Sequence, residues 1–191
     1  MIRSVAAHQL RLLWRDGSLR WGGGLLLLLM LLSLGLGWQN LAAARSEIEQ
    51  ARSGERRRWL EQGSKNPHSA AHWGVYAFRP RLAPAAIDPG LDPYLGVAVW
   101  VEAHKQNAAM FRPADDSTGL ARWARLTPAF VLQKLVPLGL ILFAFGAVAG
   151  ERERGTLRQV LALGVNGRIL LLGKAVGIAT ALTLLLSPAG L

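Results

Sequence analysis

Residues Gly150–Lys174 read GERERGTLRQVLALGVNGRILLLGK, a charged segment wedged between two apolar runs that are each about long enough to cross a bilayer. The first third, Glu151-Arg152-Glu153-Arg154-Gly155-Thr156-Leu157, is too polar for a membrane interior. Beyond it Leu157, Val160, Leu161 and Leu163 recur at roughly helical spacing and form an apolar stripe. The spacing predicts an amphipathic helix over Glu151–Leu163, in a short turnaround on one side of a membrane.

The flanking runs set the scale. Upstream, Leu126–Gly150 is 25 residues long and carries a single charge, Lys134, a little over two turns from its outer end. Lys134 either snorkels to the headgroups or faces a translocation path, since a charge within a span is costly and is usually placed for a reason. Pro137, followed by Gly139, predicts a kink because proline removes a helical hydrogen bond. Downstream, Ile169–Leu191 begins a third apolar run. Two G-x-x-x-G motifs, Gly146–Gly150 and Gly173–Gly177, mark places where another helix can approach closely.

At the other end, Met1–Arg20 places Ser4, His8, Arg11 and Arg15 largely opposite Ile2, Ala6, Leu10, Leu13 and Trp14. This is the pattern of a basic amphipathic helix lying in the membrane interface, and also of a positively charged leader for the span that follows. Trp21–Ala44 has 24 uncharged residues, bracketed by Arg20 and Arg45, with Trp21 and Trp38 near its ends. Ala42-Ala43-Ala44 resembles a signal-peptidase site, but the long amphipathic leader and the further spans downstream favour a retained transmembrane helix. The short basic segments 1–20 and 151–168 then stay cytoplasmic. The intervening loop exceeds the length to which the positive-inside rule applies and is translocated despite its arginines.

That loop, Arg45–Arg125, is an 81-residue excursion. Its first part is rich in helix formers, with Arg45/Glu49 and Glu55/Arg58 at pairing distance, so the first span is expected to continue outward as a helix. Prolines 67, 80, 84, 89 and 93 exclude long regular elements from Asn66 to Pro93, while His72, Trp73, Tyr76, Phe78, Ile87 and Leu91 give the segment something to bury. Asp88-Pro89-Gly90 has the residues of a type II turn, and Asp92-Pro93 repeats the punctuation, so both carboxylates read first as turn residues. His68 and His72 stand four apart, a metal-binding spacing on a helix, with His104 as the one further imidazole in the loop. Pro67 and Gly74 leave them little helix and there is no H-E-x-x-H, so structural or interfacial histidines, and no metal, are expected.

Composition narrows the function. A 51% apolar chain of 191 residues whose apolar residues are clustered reads as an integral membrane protein. The net charge of +10 is dispersed around the spans and along the long loop, where topology accounts for much of it, so no nucleic-acid partner is expected. With no cysteine there is no disulfide, thiolate metal site or cysteine nucleophile. Gly167–Lys174 superficially resembles a phosphate loop, but five residues separate its glycines and Ala175 replaces the Ser/Thr, so no ATP binding is expected; without a nucleophile elbow, paired catalytic carboxylates or a metalloprotease signature, no cofactor or catalytic residue is expected either. The fold expected is mainly α: a polytopic membrane protein with three transmembrane helices and a mixed, loop-rich extracytoplasmic insertion between helices 1 and 2.

Against this background, E-R-E-R-G-T-L at 151–157, followed by L-A-L-G-V, N-G-R and G-K, resembles the first cytoplasmic loop of ABC-2-type transporter permeases. The run H-W-G-V-Y-A-F-R-P from His72, Trp73 and Gly74, D-P-G-L-D-P-Y-L-G with Asp88, Pro89, Gly90, Asp92 and Pro93, and W-V-E-A-H-K-Q-N with Trp100, Glu102 and His104 resembles a subgroup carrying an extracytoplasmic domain of unknown function (DUF3526-like). The resemblance implies an interfacial N-terminal helix and a permease subunit of an ATP-driven exporter in a bacterial inner membrane. It also implies a coupling helix, with Glu151, Arg152, Glu153 and Arg154 supplying charge, Gly155 the chain reversal, and Thr156-Leu157 a cap and first apolar anchor against a separate ATP-binding subunit. A second permease protomer, identical or not, is implied as well. Such permeases have about six spans, so the chain matches the N-terminal half. The alternative is a membrane-anchored extracytoplasmic binding module with no transport role.

Overall fold

The computed structural model describes residues 1–118 and 125–187. Residues 119–124 of the expected excursion and 188–191 of the expected third span lie outside the described residues. The elements run α1 (Ile2–Arg15), α2 (Ser18–Glu61), α3 (Pro67–Trp73), β1 (Val75–Phe78), β2 (Ala98–Val101), α4 (Pro128–Glu153), α5 (Thr156–Ala162) and α6 (Gly167–Leu186). The protein is mainly helical, and α2, α4 and α6 are long and apolar enough to cross a membrane. At 1.5 Å per residue, α2 is about 66 Å long, roughly twice the hydrocarbon thickness, so the helix formers after Ala44 do extend the apolar stretch. The chain divides into two compact units, Met1–Ser33 with Ala129–Leu191, and Leu34–Pro128.

In the first unit α1 packs against α6. Leu13, Phe143, Ala147, Ile178, Ala181 and Leu182 form its buried core. The close approach comes from glycine: a Cβ at Gly173 would stand 2.6 Å from the Val5 Cβ, and one at Gly177 would stand 2.7 Å from the Ala6 carbonyl. The Gly173–Gly177 motif is therefore occupied by α1. Among the described residues the Gly146–Gly150 motif is not occupied in this way, because a Cβ at Gly146 would meet nothing within 4 Å and the atoms nearest Gly150 belong to the Arg154 side chain. Between α1 and α2, Gly17 at φ +85 reverses the chain and Asp16 accepts from the Ser18 amide at 2.8 Å.

The span surfaces are consistent with lipid. Leu25, Leu28, Leu138, Ile141, Phe145, Leu171 and Leu184 are all exposed, an apolar area too large for a water-facing surface. Hydroxyls within the spans bond back to their own helices, Thr180 to the Val176 carbonyl at 2.8 Å and Ser33 to the Met30 carbonyl at 2.8 Å. Just before Pro137 the helix has a π-helical stretch at Val131–Leu135, where the Val136 amide donates to the Val131 carbonyl. Lys134 sits in this stretch, exposed on the helix surface.

In the second unit β1 and β2 pair antiparallel, with Val75 opposite Val101 and Tyr76 opposite Trp100. The Tyr76 and Trp100 rings meet edge-on at 4.8 Å. Gly74, at φ +66, precedes β1, and a Cβ there would lie 2.3 Å from the Trp100 ring, so this position needs glycine on both counts. Asn66 caps α3 by accepting from the Ser69 amide at 2.8 Å and Pro67 occupies the first helical position, so the proline opens this helix. The turn near Asp88 falls one residue later than expected. Asp92 N–H donates to the Pro89 carbonyl, Gly90 takes φ +51, and the Asp88 carboxylate accepts from the Gly90 amide at 2.9 Å.

Candidate functional site

The turnaround between α4 and α6 is built differently from the single helix expected over Glu151–Leu163. α4 continues to Glu153, Gly155 at φ +72 breaks the helix, and α5 starts at Thr156. The break is physical, since a left-handed residue cannot sit inside an α-helix and glycine takes that conformation without a Cβ penalty. Gly164, at φ +81, follows α5, and Asn166 then caps α6 by accepting from the Arg168 amide at 2.8 Å. A seven-residue helix is thus held between two left-handed glycines at the junction of two candidate spans. Its half-buried residues are Thr156, Leu157 and Val160, while Arg158, Leu161 and the C-cap residue Leu163 are exposed.

Glu151 departs most from its expected role as a docking charge. It is buried, and its Oε1 receives the Lys174 ammonium at 2.7 Å. Lys174, itself buried, also donates to the Ala147 carbonyl at 2.8 Å and to Gln9 Oε1 at 3.2 Å. Three elements, α1, α4 and α6, are joined through one ammonium with three acceptors, the full donor capacity of a lysine. The second carboxylate oxygen, Glu151 Oε2, is buried with no hydrogen-bond partner among the described residues. Beside it lies a cleft of about 270 Å³ lined by residues that include His8, Gln9, Glu151, Arg154 and Thr156. Thr156 Oγ1 donates to the Glu151 carbonyl at 3.2 Å, tying the first residue of α5 to this root. Of the seven residues predicted to meet an ATP-binding subunit, Arg152, Glu153, Arg154 and Gly155 are exposed, Thr156 and Leu157 are half-buried, and Glu151 belongs to the interior.

The residues that carried the subgroup resemblance assemble in the second unit, largely as a framework. Asp92 bridges two arginines: Arg81 Nη1 lies 2.8 Å from its Oδ2 and Arg79 Nη1 contacts its Oδ1. Arg79 further donates to the Gly96 carbonyl at 3.3 Å. Burial acts to raise the Asp92 carboxyl, but the hydrogen bonds from Arg79 and Arg81 outweigh it and hold the group below its ordinary value. Glu55 pairs with Arg58 at 2.6 Å and accepts from the Tyr76 amide at 2.9 Å, and the Arg58 guanidinium stands 5.0 Å from the Trp100 ring centroid. Arg45 donates to the Arg81 carbonyl at 3.1 Å, and Glu49 meets Arg52 at 3.7 Å. Asn107 donates to Glu102 Oε1 and to the Trp100 carbonyl, each at 3.1 Å. The rings of His68, His72 and His104 come together at one end of this framework, with centroids 4.7–6.2 Å apart.

A carboxyl whose folded value lies below its unfolded value, about 4, contributes stability that is present above the unfolded value and is lost as pH falls through the folded one. Asp92→Asn is therefore expected to destabilise the second unit by about 1–2 kcal/mol at neutral pH, and the gap to wild type should close below pH of about 4. Unfolding midpoints of both proteins in detergent across this range check the prediction. A gap independent of pH would exclude the ion-pair origin.

Glycine-bounded α5, joined at its root to a buried ion-pair knot and placed between two apolar helices, defines a polytopic membrane protein with a structured inter-span loop. Comparison with protein-family models matches residues 19–189 to the ABC-2 family transporter protein. The chain belongs to that family of membrane transport components. Searches of curated proteins and of solved structures give no match.

Proposed function

We propose that the chain is a permease subunit, of the DUF3526-like subgroup, of an ATP-driven exporter in a bacterial inner membrane. α5 is its coupling helix to a separate ATP-binding subunit. The observation that supports this most directly is the outward-facing pair Arg158 and Leu161 on a short helix, with exposed Leu163 at its C-cap, braced by Gly155 and Gly164. An exposed apolar pair beside a cation at such a junction suits a protein partner better than water. The Lys174–Glu151–Gln9 knot then serves as a stiff root, so that displacement of α5 moves the ends of α1, α4 and α6 together. In this reading the N-terminus and residues 151–168 face the cytoplasm, residues 45–125 are extracytoplasmic, and a second permease protomer completes the transporter. Lys134, exposed on α4, faces a translocation path in this reading, or else snorkels to the headgroups.

The test is co-purification with the ATP-binding subunit encoded beside this chain. Leu161→Asp with Leu163→Asp is expected to reduce capture by about tenfold or more while leaving the membrane yield of the permease unchanged, since neither side chain is part of the core. Undiminished capture would dismiss α5 as the docking element. Capture that depends only on residues 45–125 would favour the membrane-anchored binding module.

A further inference from the structure

We propose that His68, His72 and His104 form a binding site for a late first-row divalent metal ion such as Zn²⁺, clamping α3 to the turn after β2 and leaving a coordination position open. Their candidate ligand atoms lie within 4.8 Å of one another. His68 Nε2 and His72 Nε2 are 3.3 Å apart. Two nitrogens bound tetrahedrally to zinc at 2.0–2.1 Å stand about 3.3 Å from each other, so this pair already has the bite of a chelate. Its origin is local: α3 puts residues four apart on one face, and both rings project from a helix capped by Asn66.

The third ligand comes from the other side of the framework. His104 occupies the turn closed by the Glu102–Lys105 bridge and has φ +64. Histidine is among the few non-glycine residues enriched in that conformation. A backbone hydrogen bond from the Ala103 amide to the Ala71 carbonyl, 3.2 Å, fastens this turn to α3 between the two helical histidines. The three imidazoles are therefore brought together by main-chain contacts that need no metal, and closing on a shared ion asks for a shift of about 1.5 Å in an exposed side chain. The nearby cations are engaged elsewhere, Lys65 over the Trp73 ring at 3.6 Å and Lys105 with Glu102 at 3.7 Å. A set of three imidazole nitrogens selects a nitrogen-seeking ion over Ca²⁺ or Mg²⁺, and three protein ligands leave the fourth position for water or an incoming group. The site is independent of how α5 docks, so its failure and the failure of the coupling reading are separable.

The full chain, purified in detergent with a tag free of histidine, should take up about one Zn²⁺ per molecule in titration calorimetry, with Kd around 1 µM or tighter. Co²⁺ should develop the visible absorption of a tetrahedral nitrogen site. His72→Ala and His104→Asn, the latter keeping a residue that tolerates positive φ, should each weaken Zn²⁺ binding by about tenfold or more. His8→Ala, at the one histidine outside the loop, should leave stoichiometry and affinity unchanged. Absence of Zn²⁺ uptake by the wild type, binding that survives His104→Asn undiminished, or an equal loss with His8→Ala would each overturn the proposal.

Discussion

Lys174→Ala is expected to be the most damaging single substitution in the first unit, costing about 3–5 kcal/mol, because it removes the counter-charge from Oε1 of the buried Glu151 carboxylate, whose Oε2 has no partner among the described residues. Glu151→Ala should cost a similar amount by leaving the buried ammonium without its counter-charge, on the Gln9 and Ala147 oxygens alone. Replacing both together, with Lys174→Met and Glu151→Gln, removes the two charges at once, and the expected loss falls to less than half of either single change. Thermal unfolding in detergent and membrane yield supply the comparison. Additive losses in the double variant would show that the two groups act separately. The same variants bear on coupling: the charge-free pair should retain capture of the ATP-binding subunit, since α5 keeps its outward face, but transmit its displacement less stiffly. A double variant that loses capture altogether would move the docking surface from α5 to the knot.

The second large effect is expected from Gly177→Leu. The new side chain has no room, since its first carbon alone would lie 2.7 Å from the Ala6 carbonyl and 3.0 Å from the Gln9 Cβ. Overpacking of this kind at a backbone-to-backbone contact costs about 3 kcal/mol, and the relief available to the chain is to lift α1 from α6. The chain contains no cysteine, so a Leu13→Cys probe at a site 2% exposed reports that movement directly. In the otherwise native background the thiol should be shielded from maleimide, and in the Gly177→Leu background it should react at least tenfold faster. Gly146→Leu is the control, because a Cβ there meets nothing within 4 Å among the described residues. Equal reactivity in the two leucine backgrounds would remove the α1–α6 contact from the account.

Both predictions turn on positions whose importance the sequence signals without assigning. Two G-x-x-x-G motifs of the same length stand at the two ends of the turnaround, and nothing in their spacing says that Gly173–Gly177 receives α1 while Gly146 faces open space. Glu151 begins a run of alternating charges that looks uniformly solvated, yet the helix continues past it and turns it inward while Arg152, Glu153 and Arg154 stay outside. Lys174 looks like a charge near the mouth of a span, and its three acceptors are not predictable from its neighbours. His104 is in the same position: the spacing of His68 and His72 is visible in the sequence, but the turn that returns a third imidazole to them is not. Pro67 reads as a helix breaker until its place as the first residue of a capped helix is seen.

By itself the sequence determined the three long apolar helices, the charged turnaround between the second and third, and the proline-rich segment that forms only short elements. All of these follow from hydropathy, periodicity and backbone preference, which act over a few neighbouring residues. The tertiary structure alone decided which partners the buried groups find. Lys174 meets Glu151 from 23 positions away and Gln9 from 165. Such pairings depend on where packed helices bring side chains, and each is fixed because a charge removed from water is tolerated only where an opposite charge or hydrogen-bond partner is already in place.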